Sequence, residues 1–193
     1  MIVGFSTSSA WTSVALISPE GEVVASSRVL APMQASGACM ALLDEILKGS
    51  GRTLKEATLI AADLGPGSFT GVKVSVTIAK TMAFALGIKA TGASSFDLIS
   101  LTQTVVMPSK RGEFFIRVPG QEPIRQEVLP EGEFVGFGPG IEDEVFPDAS
   151  RFADLASELK PVQPELLVPN YLIEPSISQP KKPLSPVLER GGA

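Results

Sequence analysis

At 193 residues, 44% of them hydrophobic and 19% charged, the chain is long enough to bury a core as one domain or as two small lobes, and its composition excludes a disordered polymer. There are 16 Lys and Arg against 21 Asp and Glu, a formal net charge of -5, so the overall field does not attract a polyanion and tight direct binding of nucleic acid is disfavoured. The chain has no histidine and one cysteine, Cys39; this excludes Ser-His-Asp and Cys-His catalysis, HExxH zinc sites, cysteine-rich metal sites and an internal disulfide.

The N-terminal run MIVGFSTSS has neither a basic segment nor a long apolar one, so no signal peptide is expected. No stretch is expected to reach the length of a membrane span, and the expectation is a soluble cytoplasmic protein. Ile2–Phe5, Thr12–Ile17 and Glu22–Leu30 read as strands; Ser18-Pro19-Glu20-Gly21 supplies turn chemistry between the last two, and short connections predict an antiparallel meander. Ser36–Lys48 switches to helical period, with Cys39, Met40, Leu42, Leu43, Ile46 and Leu47 on one arc. Ser36 is placed to cap it and Gly49 or Gly51 to end it.

Leu59–Leu64 reads as a buried strand, Val72–Leu86 as a second helix stopped by Gly87, Ile88–Thr91 as a strand and Ser94–Gln103 as a third helix. This alternation predicts parallel pairing in an α/β layer. Glu113–Val118 and Glu133–Phe137 read as strands and Ser150–Leu159 as a helix. A boundary near residues 104–110 divides a lobe at 1–104 from a smaller one at 105–193. Recurrent prolines from Pro161 to Pro186 predict an extended end to the chain.

The loop Gly65-Pro66-Gly67-Ser68-Phe69-Thr70-Gly71 lies between a strand and a helix, where free backbone N–H groups can hold a phosphate or simply form a tight turn. It has neither the Lys-Ser/Thr ending of a Walker loop nor GxGxxG. The hydroxyl-rich connection Ser6–Ser9 is a second candidate phosphate loop, but carries no carboxylate for Mg²⁺. The possible phosphate-facing residues are Thr7, Ser8, Gly65, Gly67 and Ser68. Asp63 closes a buried strand just before the glycine loop, and a turn role is preferred for it over a ligand role. Asp44-Glu45, Glu142-Asp143-Glu144, Lys73 and Lys80 read as solvated.

At about 100° per residue, the second helix has an apolar arc wider than half its circumference; only Lys73, Thr77, Lys80, Thr81 and Phe84 lie outside it. Two coverings are open: another molecule, or the tail lobe of the same chain. Ser75, Ala79 and Ala83 are small residues at helical spacing that allow close helix approach. The candidate partner interface is Met40, Leu43, Leu47, Val72, Ser75, Val76, Ala79 and Ala83.

Leu64–Lys73 resembles the GPGSFTG signature of the TsaB (YeaZ) family. Pro108–Glu113 resembles that family's DARKGEV segment, and Pro169-Asn170-Tyr171-Leu172 its P-x-Y-L motif. The resemblance implies an actin/Hsp70-like (ASKHA) fold with RNase H-like lobes, the second reduced here. It also implies a non-catalytic scaffold role in making N6-threonylcarbamoyladenosine in tRNA. The implied partners are a TsaD-type enzyme, which holds the metal and transfers the group, and a TsaE-type ATPase. tRNA is contacted only indirectly, and the first two helices form a homodimer when the chain is alone. No catalytic residue, metal or cofactor is expected. Several positions depart from the family: Ser6 stands in the place of Asp, Ala10 of Glu, Ala35 of His, Lys73 of Arg and Ser75 of Gly, and Pro108-Ser109 replace Asp-Ala. The alternatives are an actin-like ATPase or phosphotransferase, or a diverged paralogue with another partner. A peptidase reading finds no nucleophile–base pair.

Overall fold

The computed structural model describes residues 1–110 and 112–172; Arg111 and the prolines beyond 172 lie outside the described residues. The first three strands, β1 (Ile2–Ser6), β2 (Trp11–Ile17) and β3 (Val23–Leu30), form the expected antiparallel meander. β4 (Leu59–Asp63) then pairs parallel with β1, and β5 (Lys89–Ala93) parallel with β4. The sheet order is β3-β2-β1-β4-β5. β1 is buried along its whole length and β2 from Thr12 onward, because both faces of the sheet are covered.

On one face lie helices α1 (Ala35–Ser50) and α2 (Phe69–Leu86). Cys39, Leu42, Leu43 and Ile46 of α1 meet Val72, Val76, Ala79 and Ala83 of α2 over Val3, Phe5, Val14 and Leu16. α1 starts after Gln34, not Ser36, and no side chain caps it. It ends at Gly51, whose φ of 66° is left-handed. α2 starts earlier than expected, at Phe69, with Ser68 Oγ accepting from Gly71 N, and Gly87 ends it in the left-handed region. α2 also corrects one expectation: its 18 residues at a mean hydropathy of 1.3 are long and apolar enough to cross a membrane by composition alone. Here it packs along β4 as a core helix.

On the other face, Leu98, Ala149, Phe152 and Leu155 pack on Ile2, Ala15, Ile17 and Ala61. Two expected helices do not form there. Ser94–Gln103 makes single turns only, because Leu98 goes to this core while Phe96 and Ile99 go to that of the second sheet. Ser150–Leu159 shortens to a 3-10 turn at Ala149–Ala153, started by Asp148 accepting from Ser150 N.

The second sheet is small: β6 (Val105–Pro108), β7 (Phe114–Arg117), β8 (Ile124–Gln126) and β9 (Val135–Gly136), in the order β8-β7-β6-β9. β6 and β8 were not anticipated, and the strand expected at Glu133–Phe137 shrinks to two residues. The chain then returns to the first sheet. Val162 bridges Ala90, Leu167 enters the core under α2, and Asn170 N donates to Leu64 O at 2.7 Å.

Candidate functional site

The centre of the site is Asp63, at the end of β4 and fully buried. Its carboxylate accepts from Ser6 Oγ at 2.7 Å, Ser8 Oγ at 2.5 Å, Ser95 Oγ at 2.5 Å and Gly65 N at 2.9 Å. The sequence brings these groups together for a topological reason. β1 and β4 are parallel neighbours, so the β1–β2 connection and the glycine loop leave the same edge of the sheet. Burial pushes the Asp63 carboxyl above its ordinary range, against the four hydrogen bonds that favour its charged form. The preferred turn role for Asp63 is met by its bond to Gly65 N. The three serine bonds are additional, and their only sequence signal is a lone acid closing an apolar strand.

The two candidate phosphate loops face one another. Thr7 and Ser8 are each 1% exposed. Thr7 Oγ1 donates to Gly71 O at 2.6 Å, and Ser8 O accepts from Ser68 N at 2.7 Å. A Cβ at Gly67 would strike Ser8 O, and one at Gly71 would strike Thr7 O; glycine is required where the two backbones touch. Several amides here are likewise engaged: Gly65 N with Asp63, Ser68 N with Ser8, and Gly71 N and Val72 N with Ser68. Of the five expected phosphate-facing residues, Thr7, Ser8 and Gly65 therefore turn inward. Gly67 and Ser68 remain at the surface.

Ser6 and Ser75 both bond to Asp63. A carboxylate in place of Ser6 would sit within hydrogen-bonding distance of Asp63 and repel it, whereas the hydroxyl donates. Ser75 Oγ donates to Asp63 O at 2.6 Å and to Val72 O at 3.0 Å, tying α2 to the end of β4. Among the described residues no group of three or more metal-ligating side chains occurs.

Beside the glycine loop lies a cleft of about 290 Å³, lined by Gly67, Phe69, Ser109, Lys110, Asn170 and Tyr171 among others. Three distant segments, the glycine loop, Pro108–Lys110 and Asn170–Leu172, converge on it. The Tyr171 ring lies against Phe69 with centroids 5.1 Å apart and a tilt of 36°, and Lys73 Nζ lies 3.9 Å from the Phe69 ring centre. Ser109 Oγ is buried with no partner among the described residues.

The expected partner interface is corrected by burial. Leu43, Val72, Ser75, Val76, Ala79 and Ala83 are at most 4% exposed and belong to the chain's own core. Met40 is 48% exposed and Leu47 half-buried. The wide apolar arc of α2 is met largely from within, by β4, by α1 and by the 3-10 turn Pro164–Leu166, where Glu165 O accepts from Lys80 Nζ at 3.1 Å. Lys80 is thus tethered at the surface. Among the apolar side chains that stay outward on the helices are Met40, Phe69, Phe84 at 78% exposure, and the half-buried edges of Leu47, Ile78 and Met82.

Comparison with known proteins gives three findings. Residues 29–113, under half of the chain, match the family model described as TsaD, tRNA N6-adenosine threonylcarbamoyltransferase. The tRNA threonylcarbamoyladenosine biosynthesis protein TsaB of Buchnera aphidicola subsp. Schizaphis graminum is 30% identical over 59 residues, which span 31% of this chain and 28% of that protein. Two Pseudomonas aeruginosa structures share the fold: a protein described as similar to the peptidase YeaZ (TM-score 0.76, 19% identity) and YeaZ itself (TM-score 0.73, 20% identity). Each alignment covers 89% of this chain and 99% of the other. The α/β fold and the resemblance to the TsaB (YeaZ) family are thereby supported from sequence and from structure.

Proposed function

We propose that this relative of the TsaB (YeaZ) proteins is a soluble, cytoplasmic, non-catalytic subunit in the threonylcarbamoyladenosine modification of tRNA. It docks a TsaD-type enzyme through the outward edge of α1 and α2, and a TsaE-type ATPase joins the pair. The observation that carries the reading is the closure of the two loops. Several of the hydroxyls and amides that would hold a nucleotide's phosphates, those of Thr7, Ser8, Gly65 and Ser68 among them, bind Asp63, Ser8 and the Gly71 carbonyl instead. Such a site is built for rigidity, and a rigid N-terminal end of α2 fixes the helix that presents Phe84 and its neighbours. Apolar contact at such a face drives association at about 25 cal/mol per Å² before entropic costs.

The test is genetic. Deleting the gene should lower threonylcarbamoyladenosine in tRNA, read by mass spectrometry of nucleosides, and Met40→Asp with Phe84→Asp should fail to restore it. Unchanged nucleoside levels on deletion would reject the reading. One observation favours a second reading, a nucleotide-using enzyme: the cleft beside Gly67 with Lys110 at its wall. Calorimetric titration of the isolated chain with Mg-ATP separates the two, because turnover by this chain alone belongs only to the enzyme.

A further inference from the structure

The chain has a single tryptophan, Trp11. It opens β2, beside β3, a strand whose one charged residue is Arg28. The Arg28 guanidinium lies over the Trp11 ring at 5.1 Å, and the Phe146 ring lies 6.3 Å from the same ring at a tilt of 48°. Phe146 belongs to the segment that leads back from the second sheet, through Asp148, into the 3-10 turn Ala149–Ala153. These groups wall a cleft of about 470 Å³, lined also by the buried side chains of Leu98 and Ile99. That is the size of a small-ligand site. It shares no lining residue with the cleft beside the glycine loop.

Two arginines line the cleft, Arg28 and Arg151, and both have bonding capacity to spare. Arg28 Nη1 stands 3.7 Å from Asp148 Oδ2, beyond hydrogen-bonding distance. Arg151 Nη1 pairs with Asp154 Oδ2 at 3.1 Å, but Arg151 Nε is buried with no acceptor among the described residues. A buried N–H without an acceptor is costly, and an oxyanion in the cleft would relieve it. The two acids on the wall are engaged locally. Asp148 Oδ1 accepts from Ser150 N at 2.9 Å and Ser150 Oγ at 2.7 Å, and Glu144 Oε1 accepts from Gly138 N at 2.9 Å.

We propose that this cleft binds a small carboxylate carried on an apolar body. The carboxylate lies between Arg28 and Arg151, because planar guanidinium groups match its two oxygens. The body lies against Phe146, Leu98 and Ile99, in the usual division between an apolar lining and a few polar groups that fix orientation. The two acids select the anion. Glu144 and Asp148 offset the two arginines, so the lining carries no net charge. A monoanion is accommodated there, whereas the dianion of a phosphate ester meets twice the repulsion from each acid. An uncharged amide forgoes the charge-assisted bonds.

Trp11 reports on its own site, since no second tryptophan contributes to the signal. The full chain is titrated with phenylacetate and followed by tryptophan fluorescence, and a saturable change is expected. Phenylacetamide, acetate and inorganic phosphate should each bind at least tenfold more weakly. Arg28→Gln and Arg151→Gln should each weaken phenylacetate at least tenfold. Calorimetry reads both variants, because removing the cation over Trp11 alters the emission itself. Arg52→Gln, paired with Glu56 away from the cleft, should leave the affinity unchanged. The Arg28 and Arg151 side chains are 56% and 41% exposed, and an unchanged urea midpoint confirms that both variants fold. Arg28→Lys, which keeps the charge but loses the planar fork, should also bind more weakly. No saturable response to phenylacetate, equal binding of phenylacetamide or phosphate, or unchanged affinity in either Gln variant would each overturn the proposal. None of these results depends on whether a TsaD-type enzyme binds.

Discussion

Replacing Asp63 by Ala removes the acceptor on which four groups converge. Ser6 Oγ keeps a second acceptor, Pro147 O at 3.5 Å, but Ser8 Oγ, Ser95 Oγ and Gly65 N lose theirs inside a buried site. A buried donor left without a partner costs about 1–3 kcal/mol, and relief of a buried charge offsets part of the sum. A net loss of roughly 3–5 kcal/mol of folding stability is expected, read by urea unfolding with linear extrapolation. Asp63→Asn keeps the shape and one carbonyl acceptor and should cost much less at neutral pH. The pH dependence gives a sharper test. Burial raises the folded-state pKa of Asp63 above its ordinary 3.8, so its favourable contribution is full below that value and is lost as pH rises through the folded pKa. Asp63→Asn should therefore gain stability relative to the native chain as pH is raised from about 4 towards 7. If Asp63→Ala unfolds within about 1 kcal/mol of the native chain, or if the Asn difference does not change with pH, Asp63 is not the hub described here.

Gly67→Ala and Gly71→Ala should each cost at least about 2 kcal/mol by thermal unfolding, because the new methyl meets backbone oxygens that have little room to move. Phe152→Ala should cost about 3–5 kcal/mol, since a fully buried ring anchors the returning segment on β1 and β2. Leu43→Asp and Ala79→Glu, natural interface probes from the sequence alone, should unfold the chain instead, because both sites are in its core. Phe84→Asp should leave stability within about 0.5 kcal/mol while weakening a complex with a TsaD-type enzyme about tenfold, measured by calorimetry.

The first sheet and its two helices were legible because their signals are local: strand runs, Gly51 and Gly87 at helix ends, and the glycine loop between β4 and α2. The two failed helices were not. Phe96, Leu98 and Ile99 have helical spacing but serve two different cores, Leu98 that of the first sheet with Ile2, Ile17 and Phe152, and Phe96 and Ile99 that of the second with Val105, Met107 and Phe115. The apolar width of α2 was read correctly as covering on several sides. Of the two coverings left open, the tail of the same chain supplies one side through Pro164–Leu167. Asp63 was noticed, but its serine partners come from two distant segments, Ser6 and Ser8 at and just after the end of β1 and Ser95 after β5, and meet only through parallel strand pairing.

The most direct test of the scaffold role is a titration of the purified chain with a TsaD-type enzyme, comparing the native protein with the Met40→Asp, Phe84→Asp double variant. Saturable binding by the native chain, reduced at least tenfold in a double variant that still folds, is the expected result. Equal binding by both proteins, or none by either, would contradict it.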